Sequence, residues 1–121
     1  MVKYYFDTYA LIEIVRNSPN YLKFLEESIV TTKFNLAELI YITMSEFGQE
    51  TAKSMFERFK NFETEVSDEI LFKAMKFRFE NKKKGLSYAD CIGYVFALEN
   101  KLKFLTGDGA FEGMVNVEFM K

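Results

Sequence analysis

Histidine is absent from this chain of 121 residues and cysteine occurs once, and these two shortages exclude several kinds of chemistry. A chain without histidine has no His general base, no Ser-His or Cys-His dyad and no imidazole ligand for a metal. Cys91 cannot form an internal disulfide, which suits a cytosolic, reducing setting. We expect this thiol in the core rather than in catalysis, because no neighbour in the sequence would activate it.

Long apolar runs are lacking as well. No run approaches the ~20 residues that a membrane-spanning helix needs. Asp7 and Glu13 interrupt the N-terminal segment 1–15, so that segment does not have the apolar centre of a signal peptide. The sequence therefore predicts a cytoplasmic protein with no membrane segment.

Charge of one sign does not dominate the chain, whose formal net charge is −2. General attraction to nucleic acid is therefore not a property of the whole molecule, and any such binding requires a local basic patch. The run Lys82–Lys84 is the sharpest charge feature. We interpret it as a solvated loop, since charge runs usually face water, and contact with RNA phosphates is the alternative.

The chain is rich in apolar and aromatic residues. Hydrophobic residues make up 49% of it, and they include 14 Phe and 7 Tyr. A chain of this composition can bury a real core and is not disordered. Its length fits one domain over residues 1–121.

Strand-like and helix-like segments alternate along the chain. β-Branched and aromatic runs predict strands at 2–6, 28–33, 63–66, 103–106 and 115–120. Apolar spacing and cap residues predict helices at 9–17, from residue 18, and at 35–48, 49–62, 67–84 and 87–100. This alternation predicts an α/β fold, a three-layer α/β/α sandwich with a mainly parallel sheet of four to five strands.

Four acidic residues are predicted to meet at the carboxyl edge of this sheet. Asp7 follows the first strand, and Asp108 follows the strand at 103–106. Glu38 lies in the first turn of the helix after the second strand, and that helix must start at the same edge. The helix that holds Asp90 in its first turn ends where a strand begins at the opposite edge. It therefore also starts at the carboxyl edge.

Three of these acids have a plausible structural role when each is considered alone. Glu38 follows Asn35 by three residues, which is a capping-box pattern, and Asp90 has the same spacing from Ser87. Asp108 lies between two glycines, where turn residues are common.

Asp7 has the weakest structural explanation, because a charge directly after a buried strand is unusual. Four unpaired carboxylates in one place would repel each other, and no His, Arg or Lys adjoins them in the sequence. A hard divalent cation such as Mg²⁺ or Mn²⁺ would neutralise them, since it prefers oxygen ligands. Such a site can activate a bound water and stabilise a phosphodiester under attack. Together the four acids favour metal-assisted hydrolysis over unrelated caps and turns.

Four segments are spread over nearly the whole chain: "YYFDTYALIEI", "NLAELIY", "LSYADCIGYVFALENKLKFLTGDGAF" and the final "VNVEF". Together they resemble the PIN-domain family, and within it the short VapC-type toxins. No single motif among them is specific. The resemblance lies in their order: strand-Asp-Thr, helix-Glu, a helical "ADCIGYVFALENKLKFLT", and Thr-x-Asp before "AF".

This resemblance implies a Mg²⁺- or Mn²⁺-dependent endoribonuclease with RNA as its substrate. The family's acidic positions are matched by Asp7, Glu38, Asp90 and Asp108, and Thr106 matches a hydroxyl that often supports the site. Family members typically form homodimers and are inhibited by an antitoxin. The resemblance therefore implies a toxin of a toxin-antitoxin pair.

Two departures from the family pattern lie beside the acids. Tyr9 stands where the family usually has a small polar residue. Gly107 and Gly109 occupy positions where a charged or bulkier residue is common. Neither departure removes a ligand, and we expect the glycines to let the backbone deliver Asp108 to the metal edge.

Two other functions share part of this pattern. A non-catalytic PIN-like module could bind RNA or protein with the same fold, but retention of all four acids argues against it. A phospho-acceptor receiver domain is also a small parallel α/β fold. It would need paired acids after the first strand and a lysine after a late strand, whereas Asp7 stands alone and residues 106–108 contain no lysine.

Overall fold

Short aromatic and β-branched runs form four strands, and longer amphipathic segments form the helices between them. A computed structural model describes residues 3–26 and 28–121, so that Val2 of the predicted first strand and Glu27 of the predicted second helix lie outside the described residues. The strands are β1 (Tyr4–Phe6), β2 (Ile29–Val30), β3 (Lys103–Thr106) and β4 (Val117–Phe119). The α-helices are α1 (Thr8–Val15), α2 (Pro19–Leu22), α3 (Lys33–Phe47), α4 (Gln49–Phe59), α5 (Asp68–Glu80) and α6 (Tyr88–Glu99).

The four strands form one parallel sheet in the order β2-β1-β3-β4. In the register of the central pair, Tyr5 lies beside Phe104 and Phe6 beside Leu105. The prediction of a mainly parallel α/β fold is confirmed. Because β1 and β3 are adjacent and parallel, the segments that follow them leave the sheet at one edge.

Helices cover both faces of the sheet. Tyr5 and Phe104 pack with residues of α5 and α6, while Phe6 and Leu105 pack with residues of α1, α3 and α4. Successive strand residues point to opposite faces, so each strand contributes to both cores. The predicted three-layer sandwich is therefore present, with Cys91 of α6 fully buried in one core as expected.

Three segments differ from their predicted structure. The strand predicted at 28–33 is reduced to Ile29–Val30, because the chain turns into α3 at Lys33. Residues 63–66 do not form a strand: Glu63 makes one isolated bridge with Thr31, after which the backbone leaves the sheet. Helix α5 ends at Glu80 rather than at residue 84, and Lys82–Lys84 form a separate 3₁₀ turn. This turn ends at Gly85, whose φ of 67° is in the left-handed region that glycine adopts without strain.

In the part of the chain that the structure describes, none of the helices has the length and apolar character needed to cross a membrane.

Candidate metal centre

All four predicted acids line one open pocket of about 600 Å³ at the carboxyl edge of the sheet. Asp7 directly follows β1, and Asp108 lies two residues after the end of the adjacent β3. Glu38 reaches the pocket from α3, and Asp90 reaches it from the first turn of α6. Much of the remaining lining is apolar; it includes Ile12, Ala37, Tyr41 and Ile42.

Asp7 is the N-cap of α1. Its Oδ1 accepts a hydrogen bond from the Ala10 backbone N–H at 2.9 Å, and only 2% of the residue is exposed. This role corrects the expectation that Asp7 has little structural reason to be there. The signal was present in the sequence, since an aspartate directly before a helical apolar pattern is a typical N-cap.

Burial dominates the electrostatics of Asp7. The pKa of this carboxyl is raised to about 8, chiefly by removal from water and to a smaller extent by the negative charges of Asp90 and Asp108. Hydrogen bonds from the Thr106 side chain and the Ala10 N–H act in the opposite direction and favour the ionised form. Near neutral pH, a cation at the Asp7 carboxyl would therefore compete with a proton.

Glu38 lies in the second turn of α3, not in the first. The helix begins at Lys33 with Thr32 at the N-cap position, so the predicted capping box of Asn35 and Glu38 is wrong. Glu38 is held instead by the Thr8 hydroxyl, which donates to its Oε1 at 2.7 Å. The carboxylate still faces the pocket because its helix starts at the same edge of the sheet.

A buried chain of hydrogen bonds leads from the core to Glu38. The hydroxyl of Tyr5 donates to Asn35 Oδ1, and Asn35 Nδ2 donates to Thr8 Oγ1 at 3.0 Å. The Tyr5 hydroxyl also lies 2.9 Å from Thr32 Oγ1. Sequence reasoning missed this network, although an asparagine among the apolar residues of a helix is a signal that a buried polar partner exists.

The predicted capping box at the start of α6 is confirmed. Ser87 Oγ accepts from the Asp90 N–H at 3.0 Å, and Asp90 Oδ2 accepts from the Ser87 N–H at 2.9 Å. Burial raises the pKa of Asp90, and the charges of Glu38 and Asp108 add to this effect. Asp90 therefore serves as a cap while it lines the acidic pocket.

The Asp108 side chain is also held by a backbone N–H of the turn that follows it. Its Oδ1 accepts from the Ala110 N–H at 3.0 Å, in a 3₁₀ turn over Gly109–Phe111. The Asp108 N–H donates to Thr106 Oγ1 at 3.0 Å, and the Thr106 side chain in turn hydrogen-bonds to Asp7. Thr106 thus links two of the acids, as a supporting hydroxyl would.

The departures at Tyr9 and Gly107 depend on one another. A Cβ atom at Gly107 would lie 2.5 Å from the Met120 carbonyl oxygen and closer still to the Tyr9 ring. The backbone of Gly107 has an ordinary negative φ, so glycine is needed for this close approach rather than for a left-handed turn. The large Tyr9 ring occupies the space that a side chain at residue 107 would take.

The pocket carries negative charge that no neighbouring cation balances. Among the described residues, the ion pairs involve only Arg16, Lys33, Lys60 and Lys73 on the basic side, and none of the four acids takes part. The contacts above hold one oxygen of each carboxylate and orient it. Carboxylate oxygens in this number suit a hard divalent cation.

The carboxylates do not form a closed cage. In residues 3–26 and 28–121, no three carboxylate, thiol or imidazole groups are close enough to enclose an ion by themselves. Mg²⁺ characteristically binds one or two carboxylates directly and keeps several waters. The donor set therefore fits Mg²⁺ or Mn²⁺ held partly through water, and does not resemble a dehydrated structural metal site.

The sequence profile of the PIN domain family matches residues 4–115, and the chain belongs to this family. No curated protein matches the sequence. The fold is similar to that of VapBC from Salmonella typhimurium, solved bound to DNA, with a TM-score of 0.76, 20% identity and coverage of 99% of this chain and 98% of that one.

Two further solved structures share the fold. VapBC2 from Rickettsia felis, bound to a DNA fragment from its promoter, has a TM-score of 0.74 at 21% identity, covering 99% of this chain and 98% of that chain. VapC20 from Mycobacterium tuberculosis, a toxin that cleaves the Sarcin-Ricin loop, has a TM-score of 0.75 at 12% identity, covering 95% and 98%. The predicted PIN-type fold is thereby confirmed.

The raised pKa of Asp7 predicts a pH-dependent stability in the metal-free protein. The folded state binds the proton of the Asp7 carboxyl more tightly than the unfolded chain does. The stabilisation of the fold by this proton is therefore complete below pH ~4 and is lost as the pH rises through about 8. Asp7→Asn keeps the acceptor for Ala10 and cannot ionise. In EDTA at pH 8, we expect its free energy of unfolding to exceed the wild-type value by about 1 to 3 kcal/mol.

Urea denaturation at several pH values measures this difference. Asp68→Asn, at the exposed start of α5, is the matched control and should follow the wild-type pH profile. Parallel profiles for wild type and Asp7→Asn would contradict the interpretation that Asp7 is protonated by burial.

The hydrogen-bond network predicts a large stability loss for Asn35→Ala. The substitution removes the partner of Thr8 and leaves a small cavity at a fully buried position. We expect a loss of about 2 to 4 kcal/mol in urea denaturation. Asn20→Ala, at an exposed site, should change stability by less than about 0.5 kcal/mol. Equal effects of the two substitutions would show that the network does not hold α3 in place.

Proposed function

We propose that this chain is a Mg²⁺- or Mn²⁺-dependent endoribonuclease, the toxin of a toxin-antitoxin pair. One observation carries the proposal. In a PIN-family chain, four carboxylates from separate elements line one pocket, and no cation of the described residues pairs with them. Hydrolysis of an RNA phosphodiester at a divalent cation is the chemistry that this donor set supports best.

Asp7, Glu38 and Asp90 would hold the cation together with its waters, and Asp108 would complete that set or help to hold a second ion. When bound, the cation supplies positive charge for the phosphate oxygens and lowers the pKa of a bound water. Thr8 keeps Glu38 in position, and the N-termini of α1 and α6 favour the ionised forms of Asp7 and Asp90. Asp7 must give up its proton to become a ligand.

The similarity to solved toxins supports RNA as the substrate and an antitoxin as a partner. The Mycobacterium tuberculosis relative is a toxin that cleaves the Sarcin-Ricin loop, and the Salmonella and Rickettsia relatives were solved as VapBC. We extend both properties to this chain as part of the proposal, with cleavage of single-stranded or looped RNA. A cytoplasmic location and homodimerisation remain predictions.

Asp7→Asn tests the chemistry because it preserves shape and removes one ligand charge. We expect cleavage of a structured RNA in Mg²⁺ or Mn²⁺ to fall at least about 100-fold, and EDTA to abolish wild-type cleavage. The readout is the appearance of end-labelled RNA fragments over time, with Asp68→Asn as a variant that should cleave at the wild-type rate.

Two results would overturn the nuclease proposal. Cleavage by Asp7→Asn at the wild-type rate would show that the acids take no part in the mechanism. Cleavage in EDTA would show that the reaction needs no metal. If wild type binds RNA and never cleaves it under any divalent cation, the chain is the non-catalytic PIN-like module instead.

A further inference from the structure

Positive charge is concentrated in one short part of the chain. Residues 73–84 contain six basic residues and one acidic residue, whereas the rest of the chain has ten basic and seventeen acidic residues. The lysines of the 3₁₀ turn Lys82–Lys84 are all exposed. Among the described residues, no ion pair uses them or Arg78. These residues thus form an uncompensated basic surface on a chain that is otherwise acidic.

Two aromatic rings are interleaved with these cations. The Arg78 guanidinium lies 4.2 Å from the centroid of Tyr88, and Lys82 Nζ lies 4.3 Å from the centroid of Phe79. Each cation covers one face of its ring, yet Tyr88 remains 61% exposed and Phe79 remains 69% exposed. The rings are therefore held by a cation on one side and open to a stacking partner on the other.

This basic surface is connected to the acidic pocket through the segment that joins α5 to α6. Arg78 Nε donates to the Leu86 carbonyl oxygen at 3.0 Å, which ties the end of α5 to the start of α6. The next residue, Ser87, lines the pocket and caps the helix that carries Asp90. Lys84 precedes Ser87 by three residues, so their Cα atoms are at most ~11 Å apart.

We propose that Arg78, Lys82–Lys84, Phe79 and Tyr88 form a docking surface for single-stranded RNA that leads into the acidic pocket. The inference rests on the proposed ribonuclease function. Lysines bind successive phosphates, and exposed rings held by cations stack bases, which duplex RNA does not offer. The acidic pocket repels a polyanion such as RNA, and the positive charge of this surface attracts it.

The lysine test measures binding separately from cleavage. Fluorescence anisotropy with a labelled single-stranded RNA is run in EDTA, where wild type does not cleave, over a series of salt concentrations. Lys82→Gln/Lys83→Gln/Lys84→Gln should weaken binding about tenfold or more and make the slope of log K against log salt shallower by about 2.

A matched control exists at the opposite edge of the sheet, where Lys3, Lys101 and Lys103 are also exposed. Replacing these three lysines by Gln changes the net charge by the same amount and should leave affinity close to that of wild type. If both triple variants lose affinity equally, or neither does, the proposed surface is overturned.

The rings are tested by Tyr88→Ala and Phe79→Ala. Loss of base stacking should weaken binding of single-stranded RNA by about 5- to 100-fold for each, and duplex RNA much less. Phe72→Ala, at a ring that is 76% exposed on the same helix, is the control and should not change affinity. Equal binding of single-stranded and duplex RNA, or no effect of either ring, contradicts the proposal.

The outcomes also separate this surface from the nuclease. Wild type that binds RNA through the lysines and fails to cleave it with Mg²⁺ or Mn²⁺ refutes the nuclease and supports the surface. Wild type that cleaves RNA and binds it no better than the lysine variant refutes the surface and leaves the nuclease standing. Displacement of RNA from wild type by polyglutamate with no role for the rings indicates a site for an acidic protein instead.

Discussion

Burial of the Asp7 carboxyl at the end of β1 is the constraint on which the rest of the site depends. The strand before it and the helix after it are both in the core, so the side chain cannot turn to water. A carboxylate in that environment must be neutralised, either by a proton or by a cation. The raised pKa of Asp7 corresponds to neutralisation by a proton. The three other acids around the pocket offer further oxygen ligands for a cation.

The same contacts that build the fold also aim the acids. Asp7, Asp90 and Asp108 each accept a hydrogen bond from a backbone N–H close by in the chain, so each is fixed by the start of a helix or a 3₁₀ turn. A cap uses one carboxylate oxygen and favours the charged form, which leaves the group suited to a cation. Glu38 differs because the Thr8 side chain of α1 holds it, and Thr8 in turn accepts a hydrogen bond from Asn35 on the same helix as Glu38.

The convergence of the acids could be predicted because it follows from topology. Once strands and helices alternate in a parallel sheet, residues after strands and at helix starts share one edge. The local contacts were harder to predict. Asn35 of α3 bonds to Tyr5 and Thr8, which lie 30 and 27 residues away in the chain. The fit of Tyr9 over Gly107 likewise depends on packing that no local pattern encodes.

Cation binding by the acidic pocket is the central claim, and the stability of the protein in Mn²⁺ tests it most directly. A ligand that binds only the folded chain raises the free energy of unfolding by about 1.4 kcal/mol for each tenfold increase above its Kd. We predict this rise for wild type near neutral pH, titrated from EDTA into Mn²⁺, and a much smaller one for Asp7→Asn. A wild-type stability that ignores Mn²⁺, or an equal rise in both proteins, would contradict the account.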